Sequence, residues 1–204
     1  MKIIERKIDE RKLYCYSHRD FNAAMIGLGA TREHPVPNIS TISIVSKYDD
    51  DNEHFFSDSV STNFNLDFCD TSIDWWHTYS SAIYDKLYDE YCMNGKDDMD
   101  PDHDKFAHSD GNNVYYSLNY EQADKIVGFI EEAVSRGDSI YVHCSAGKSR
   151  SQAIVRYIKD VYSSIHWITR RENPCIYPNW HVVCMLIRMY YNKYFTENEL
   201  RQRC

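Results

Sequence analysis

Apolar residues recur in the second half of the chain with helical spacing. From Ala123 to Val134 they lie three or four positions apart, as on one face of a helix. Asn119 and Gln122 have the spacing of a capping box at the start of this stretch, and Gly137 suits its end. The pattern therefore predicts an amphipathic helix between Asn119 and Gly137.

Three more segments of this half carry regular patterns. Residues 139–142 form a short β-type run that leads directly into Cys144. Apolar positions at helical spacing then predict helices over residues 151–162 and 180–192. This order places Cys144 at the carboxyl end of a strand and shortly before a helix.

The first half predicts three further strands. Residues 13–16 form a short β-type run, and residues 39–45 are rich in β-branched side chains. Residues 64–69 alternate apolar and polar positions, which predicts a strand that ends at Asp70.

The stretch 71–118 is the least regular part of the chain. Apolar residues recur at helical spacing within 82–92, and a strongly acidic segment follows at 97–104. We interpret residues 71–114 as an insertion, either a lid or a partner surface. The shorter acidic run 49–51 is interpreted as a solvated turn.

Strands that alternate with helices predict an α/β fold, with a central, mostly parallel sheet flanked by helices. We expect one domain over residues 1–204, with the atypical insertion at about 71–114. Open α/β sheets bind ligands at the carboxyl ends of their strands, which is where the Cys144 loop lies.

Composition narrows the function classes. A formal net charge of −8 argues against general nucleic-acid binding. A chain with this net charge can still have a local basic pocket. Seven cysteines, an odd number without framework spacing, suggest reduced thiols and a cytoplasmic protein. We find no run of roughly 18 apolar residues that could span a membrane. We predict no metal and no cofactor, and the sequence leaves the oligomeric state unknown.

The Cys144 loop combines three features that suit a phosphate group. Backbone N–H groups of a tight loop and a helix N-terminus both attract oxyanions. A thiol at such a position ionises readily, and the thiolate is a competent nucleophile. Arg150, at the start of the predicted helix, can grip two phosphate oxygens with its planar guanidinium.

The segment His-Cys-Ser-Ala-Gly-Lys-Ser-Arg-Ser, residues 143–151, resembles the His-Cys-x-x-Gly-x-x-Arg-Ser/Thr signature of cysteine-dependent protein phosphatases. It is most similar to the dual-specificity branch, including the compact phosphatase-like proteins of bacteria and phages. The resemblance covers about residues 115–192, is weaker over 39–70, and does not extend to 71–114. It implies a protein-tyrosine-phosphatase-like fold with the cysteine loop between a strand and a helix.

The chemistry and the resemblance together assign roles to this segment. Cys144 would attack phosphorus to form a phosphocysteine, and Arg150 would stabilise the charge of the transition state. The resemblance implies that the Ser151 hydroxyl helps the sulfur to leave; a helix cap is the alternative. His143 is expected to orient the loop through hydrogen bonds. Phosphate contacts are expected from the loop residues Ser145, Ala146, Gly147, Lys148 and Ser149, together with Arg150.

The leaving group needs a general acid, which the family places as an aspartate after an earlier strand. Asp70 follows the predicted strand 64–69, as the resemblance implies, but it lies 74 positions before Cys144. Asp110 is closer to Cys144 in sequence, in a Ser-Asp-Gly-Asn turn for which we predict no preceding strand. We favour Asp70, keep Asp110 as the alternative, and leave open that neither is the acid and that both have a turn or cap role.

These features predict a phosphatase that hydrolyses phosphotyrosine, with phosphoserine and phosphothreonine as further substrates. The substrate is expected to be a phosphorylated protein or a small phosphate ester. Lys148 keeps a second substrate class open, because the resembling lipid phosphatases use a lysine there to recognise inositol phosphates; RNA 5′ ends are a further option. A phospho-binding module without turnover is the non-enzymatic alternative. The expected location is the cytoplasm, or the host cytoplasm if the source is viral. Cys69 is interpreted as a buried apolar thiol, with a disulfide to oxidised Cys144 as the alternative.

Overall fold

In the computed structural model the chain is described over residues 10–50, 53–70, 107–109, 114–116, 118–169 and 178–195. Seven strands are present in this part: β1 Arg11–Ser17, β2 Ile39–Val45, β3 Asn63–Asp67, β4 Ala107–Ser109, β5 Val114–Tyr116, β6 Ser139–Cys144 and β7 Trp167–Thr169. Four helices accompany them: α1 His18–Gly27, α2 Tyr120–Arg136, α3 Arg150–Val161 and α4 Trp180–Tyr194.

Five of the strands form one parallel sheet in the order β3-β2-β6-β1-β7, so the predicted α/β fold with a helix-flanked parallel sheet is confirmed. Strand β6, which carries Cys144, lies at the centre between β1 and β2. The carboxyl ends of these three strands therefore meet at one edge of the sheet, where Ser17 pairs with Cys144 in register.

Alternation along the strands sends successive side chains to opposite faces of the sheet. One face carries Ile140, Val142 and Cys144 and packs against α2, α3 and α4 in the larger apolar core. The other face carries Tyr141 and packs against α1 and the segment after β2 in a smaller core. Cys144 consequently lies on the three-helix side, and His143 lies on the α1 side.

Local signals predicted several element ends correctly. Asn119 and Gln122 form the reciprocal capping box of α2, and Gly137 ends this helix in the left-handed conformation, with φ 81°. Strand β2 occupies residues 39–45 as predicted.

Strand β3 is shorter than predicted, since it ends at Asp67 instead of continuing to Cys69. Phe68 and Cys69 are both buried, which breaks the alternation of a strand with one covered face. Its neighbour β2 also ends at Val45, so the ladder has no partner beyond this point. Asp70 therefore lies three residues beyond the end of the strand.

The expectation that no strand precedes Asp110 is wrong, because β4 ends at Ser109 and pairs antiparallel with β5. Asp110 itself, and the predicted helix within 82–92, lie outside the described residues. The β4–β5 pair forms a separate two-stranded sheet at the end of the segment that we interpret as an insertion.

Candidate functional site

The site lies in the loop between β6 and α3, at the carboxyl edge of the central strands. Three neighbouring elements contact this loop through the backbone or through Arg150. The His18 N–H donates to the Ser145 carbonyl at 3.0 Å, and the Asn179 N–H donates to the Ser149 carbonyl at 3.3 Å. Arg150 Nη1 donates to the Phe68 carbonyl at 2.9 Å. The loop is therefore fixed from β1–α1, from α4 and from the end of β3.

Cys144 and Ser151 are adjacent at the base of this loop. The Cys144 Sγ lies 3.1 Å from the Ser151 Oγ, and both residues are buried. Cys15 on β1 has two acceptors for its S–H, the same hydroxyl at 3.0 Å and the Gly147 carbonyl at 3.5 Å, and the hydroxyl is the nearer one. Burial raises the pKa of Cys15 to about 12, with nearby Cys144 as a further cause, so Cys15 stays protonated. A hydroxyl that accepts from Cys15 is free to donate its own proton to Cys144.

The loop backbone supplies unpartnered hydrogen-bond donors. Within the described part of the chain, no backbone N–H of residues 145–149 has an acceptor. The N-cap of α3, Ser149, makes no side-chain cap hydrogen bond, so the first N–H groups of this helix are also uncapped. Such groups bind an oxyanion well, since they carry the positive end of the helix dipole.

Gly147 gives the loop its shape. Its φ is +68°, a left-handed conformation that glycine adopts at little cost. A Cβ here would lie 2.7 Å from backbone atoms of Tyr16 and Ser17. The loop therefore packs directly against the end of β1, and this close approach requires glycine.

Arg150 is 3 % exposed, and two hydrogen-bond acceptors hold its guanidinium in position. Its Nη2 lies 3.1 Å from each carboxylate oxygen of Asp49, and its Nη1 is bound to Phe68. Its Nε has no partner among the described residues. The expectation that Asp49 is part of a solvated turn is wrong, because its carboxylate forms a largely buried ion pair with Arg150.

The structure places Asp70 beside the loop, although it lies far away in sequence. Its Oδ1 accepts from the Ser149 hydroxyl and from the Asn179 side-chain amide, both at 2.8 Å. Its Oδ2 has no partner within the described residues, and the side chain is exposed. Asn179 also caps α4 by accepting from the Val182 N–H at 3.2 Å. One asparagine thus ties Asp70, the loop and α4 together.

His143 behaves differently from the expectation that it hydrogen-bonds to the loop. Neither ring nitrogen has a partner in the part of the chain that the structure describes. The ring stacks on Phe21 at 4.1 Å between centroids and meets His18 edge-on at 5.2 Å. Burial, followed by His18, His54 and Arg150, holds the His143 pKa well below its usual value. It is a neutral packing residue on the α1 side of the sheet.

The remaining predicted residues are distributed around the loop. Ala146 and Lys148 are exposed, and Lys148 makes no hydrogen bond or ion pair with a described residue. Cys69 is buried, and its sulfur contacts the Ser46 hydroxyl at 3.2 Å.

Sequence reasoning missed the positions of Asp49 and Cys15 in this site. Asp49 is one of three consecutive aspartates, and nothing local distinguishes it from its neighbours. Cys15 carries a usable signal, because it is a small thiol on the predicted strand 13–16, near the end of the observed strand at Ser17. That signal becomes informative only once β1 is known to pair with β6.

Comparisons of the chain with protein-family models, curated proteins and solved structures find no match. Within the described residues, no helix has the length and apolar character needed to cross a membrane. The geometry of the loop is therefore the basis for any functional assignment. It combines a buried thiol with a hydroxyl beside it, a fixed guanidinium, uncapped backbone donors and a carboxylate at the rim.

Proposed function

We propose that the protein is a cysteine-dependent phosphatase that hydrolyses phosphate monoesters, with phosphotyrosine as the leading substrate and phosphoserine or phosphothreonine as further ones. The proposal rests on one observation above all: Cys144 lies 3.1 Å from the Ser151 hydroxyl in a loop with unpartnered backbone donors. Inert buried cysteines do not require such surroundings.

In the first step the Cys144 thiolate attacks phosphorus, an S–P bond forms and the ester P–O bond breaks. Asp70 gives the proton on its Oδ2 to the departing oxygen, which leaves as a phenol or alcohol. The position of this carboxyl supports the role, because its Oδ1 is held by Ser149 and Asn179 while Oδ2 has no described partner. Loop N–H groups and Arg150 stabilise the charge on the phosphoryl oxygens.

In the second step water attacks phosphorus, gives its proton to the Asp70 carboxylate and releases inorganic phosphate as the S–P bond breaks. Ser151 donates a hydrogen bond to the sulfur as it regains negative charge. Cys15 supports this role because the Ser151 hydroxyl is the nearer of its two acceptors, and a hydroxyl that accepts from Cys15 has its own proton left for Cys144. Atoms and charge balance without a metal or cofactor.

Other phosphate esters are the second candidate substrates. Lys148 is an exposed residue of the loop with no partner among the described residues, which favours additional contact with an anionic substrate such as an inositol phosphate or an RNA 5′ end. A phospho-binding module without turnover would use the same cradle but would not require Asp70. A cytoplasmic location, in the host if the source is viral, belongs to this proposal because the thiolate must stay reduced.

Hydrolysis of an aryl phosphate tests the proposal. We expect turnover by the wild type, none by Cys144→Ser, and a loss of about 100-fold or more in kcat for Asp70→Asn, typical of removing a general acid. The matched control is Asp67→Asn, which removes an exposed carboxylate three positions earlier on β3. Phosphate binding without turnover by the wild type would favour the binding module. Loss of activity on changing Asp110 but not Asp70 would contradict the assignment of the acid.

A further inference from the structure

A cavity lies on the α1 side of the sheet, and one of its lining residues, His18, is bonded to the Cys144 loop. Its volume is about 510 Å³, within the range of roughly 300–1,000 Å³ that is typical of ligand sites. Its walls come from α1, from the loop that follows it and from the segment after β2. The residues that line it are His18, Asn22, Arg32, Asp50, Glu53, His54 and Phe55.

One hydrogen bond and one neighbouring residue in sequence link this cavity to the proposed phosphate site. His18 lines the cavity with its side chain, and its backbone N–H is bound to the Ser145 carbonyl of the loop at 3.0 Å. Asp50 lines the cavity and directly follows Asp49, which holds Arg150. These links make the cavity the candidate site for the group next to a phosphate held in the loop.

The inner part of the cavity has an unmatched donor and an unmatched acceptor. His18 is 7 % exposed, and its Nε2 is paired with the Asn22 side-chain nitrogen at 2.9 Å. The His18 Nδ1 and the Asn22 Oδ1 are buried without a partner among the described residues. If the Asn22 side-chain amide is turned by 180°, its nitrogen becomes the unpartnered donor and the His18 Nδ1 the unpartnered acceptor. One donor and one acceptor are therefore left in either orientation. Buried polar atoms of this kind require a partner.

The outer part of the cavity is charged. Arg32, Asp50 and Glu53 are exposed, and none of their side chains forms a hydrogen bond or ion pair with a described residue. Two carboxylates against one guanidinium make this rim unsuitable for a second phosphate. They favour a cationic group, as does the net charge of −8 on the whole chain.

We propose that this cavity binds the peptide segment that flanks the phosphorylated residue, with a lysine or arginine side chain against Asp50 and Glu53. A peptide bond presents one N–H and one C=O, which matches the donor and the acceptor left by His18 and Asn22. The half-buried ring of Phe55 provides apolar surface for the aliphatic stem of the basic side chain. This inference rests on the proposed phosphatase activity and identifies its substrates as phosphopeptides with basic flanks.

Phosphotyrosyl peptides of one length, differing only in flanking lysine, glutamine or glutamate, test the inference. We expect kcat/KM to fall in that order, by about fivefold between lysine and glutamate, as one or two partly exposed ion pairs provide. The Asp50→Asn/Glu53→Gln variant should reduce the ratio of kcat/KM between the lysine and the glutamate peptide to about one. The Asp124→Asn/Glu132→Gln variant is the matched control, because it removes two exposed carboxylates of α2 and should retain the ratio.

Asn22→Ala supplies an independent readout, since it should lower kcat/KM for all three peptides relative to an aryl phosphate. Equal rates for the three peptides, or a ratio that the Asp50/Glu53 variant leaves unchanged, would overturn the inference while aryl phosphate turnover still supports the phosphatase. A preference for inositol or sugar monophosphates over every peptide would overturn it as well. Absence of aryl phosphate turnover would instead reject the proposed function itself.

Discussion

The ion pair between Arg150 and Asp49 positions the guanidinium that faces the proposed phosphate. Arg150 is almost fully buried, and the Asp49 side chain is 16 % exposed, so solvent screens the pair only in part. A buried cation without its partner is costly, because it keeps the loss of hydration and loses the compensating charge. We therefore expect both stability and the proposed activity to depend on Asp49.

Replacing Asp49 by Asn should lower the free energy of unfolding by about 2 kcal/mol, somewhat less than the roughly 3–5 kcal/mol for a fully buried pair. Aryl phosphate turnover should fall as well, because Arg150 loses one of the groups that orient it. Urea denaturation and steady-state kinetics measure the two effects. Asp50→Asn, at the exposed next position, should change stability by less than about 0.5 kcal/mol. Equal effects at both positions would contradict a specific role for Asp49.

His143 predicts how stability depends on pH. Burial, followed by the charges of His18, His54 and Arg150, lowers its pKa well below the usual value of 6.5. Above pH 6.5 the histidine is neutral in both the folded and the unfolded chain, and its contribution to stability is constant. Below that pH the unfolded chain binds the proton more readily, so the free energy of unfolding must fall.

We expect urea unfolding at pH 7, 6 and 5 to show this decrease, by up to about 1.4 kcal/mol per pH unit from one such group. His143→Phe should flatten the dependence, since the ring already packs on Phe21 without hydrogen bonds. The same change at exposed His34 is the matched control. An unchanged slope in His143→Phe would show that other groups, such as His54 or His181, cause the loss.

Among the elements, the loop before α3 is constrained most by its close packing on β1. Gly147 has a positive φ, and its α-carbon lies so near Tyr16 and Ser17 that a methyl group would overlap their backbone. Backbone atoms of a central strand cannot move aside as the end of a flexible side chain does. The shape of the oxyanion cradle therefore depends on this one glycine.

Gly147→Ala should destabilise the fold by at least about 2 kcal/mol and abolish phosphatase activity, because both the backbone conformation and the contact become unfavourable. Gly128→Ala is the matched control within α2, where a Cβ would meet no atom within 4 Å. It should raise stability by about 0.5–1 kcal/mol, since alanine suits a helix interior better. Thermal denaturation compares the two, and a Gly147→Ala protein with wild-type stability and activity would refute the packing argument.

The same elements show what a sequence can predict about this fold. Capping, periodicity and the cysteine loop are local features, so β2, α2 and the position of Cys144 follow from neighbouring residues. The pair Arg150–Asp49 joins residues 101 positions apart, and no local pattern selects Asp49 from three aspartates. The sequence also predicts too late an end for β3. Apolar and polar residues still alternate as far as Phe68 in the sequence, but the neighbouring strand β2 has already ended at Val45.

In the molecule as a whole, the Cys144 loop connects parts of the chain that are distant in sequence. It binds the start of α1 through Ser145, the start of α4 through Ser149, and the end of β3 through Arg150. Asp70 adds a further link, because it accepts from both Ser149 and Asn179. An anion held by the loop would therefore stabilise the folded chain globally, and not only the loop.

Inorganic phosphate should raise the unfolding temperature of the full chain relative to chloride at equal ionic strength. Binding to the folded state alone adds about 2.7 kcal/mol when phosphate is present at 100 times its dissociation constant. Phosphate also stabilises proteins generally, because it is excluded from their surfaces. Arg150→Met separates the two effects, since it removes the guanidinium that we propose to contact the anion but leaves the general effect. Cys144→Ser should respond as the wild type does, because anion binding needs no nucleophile. An equal shift in Arg150→Met would show that the loop does not bind the anion.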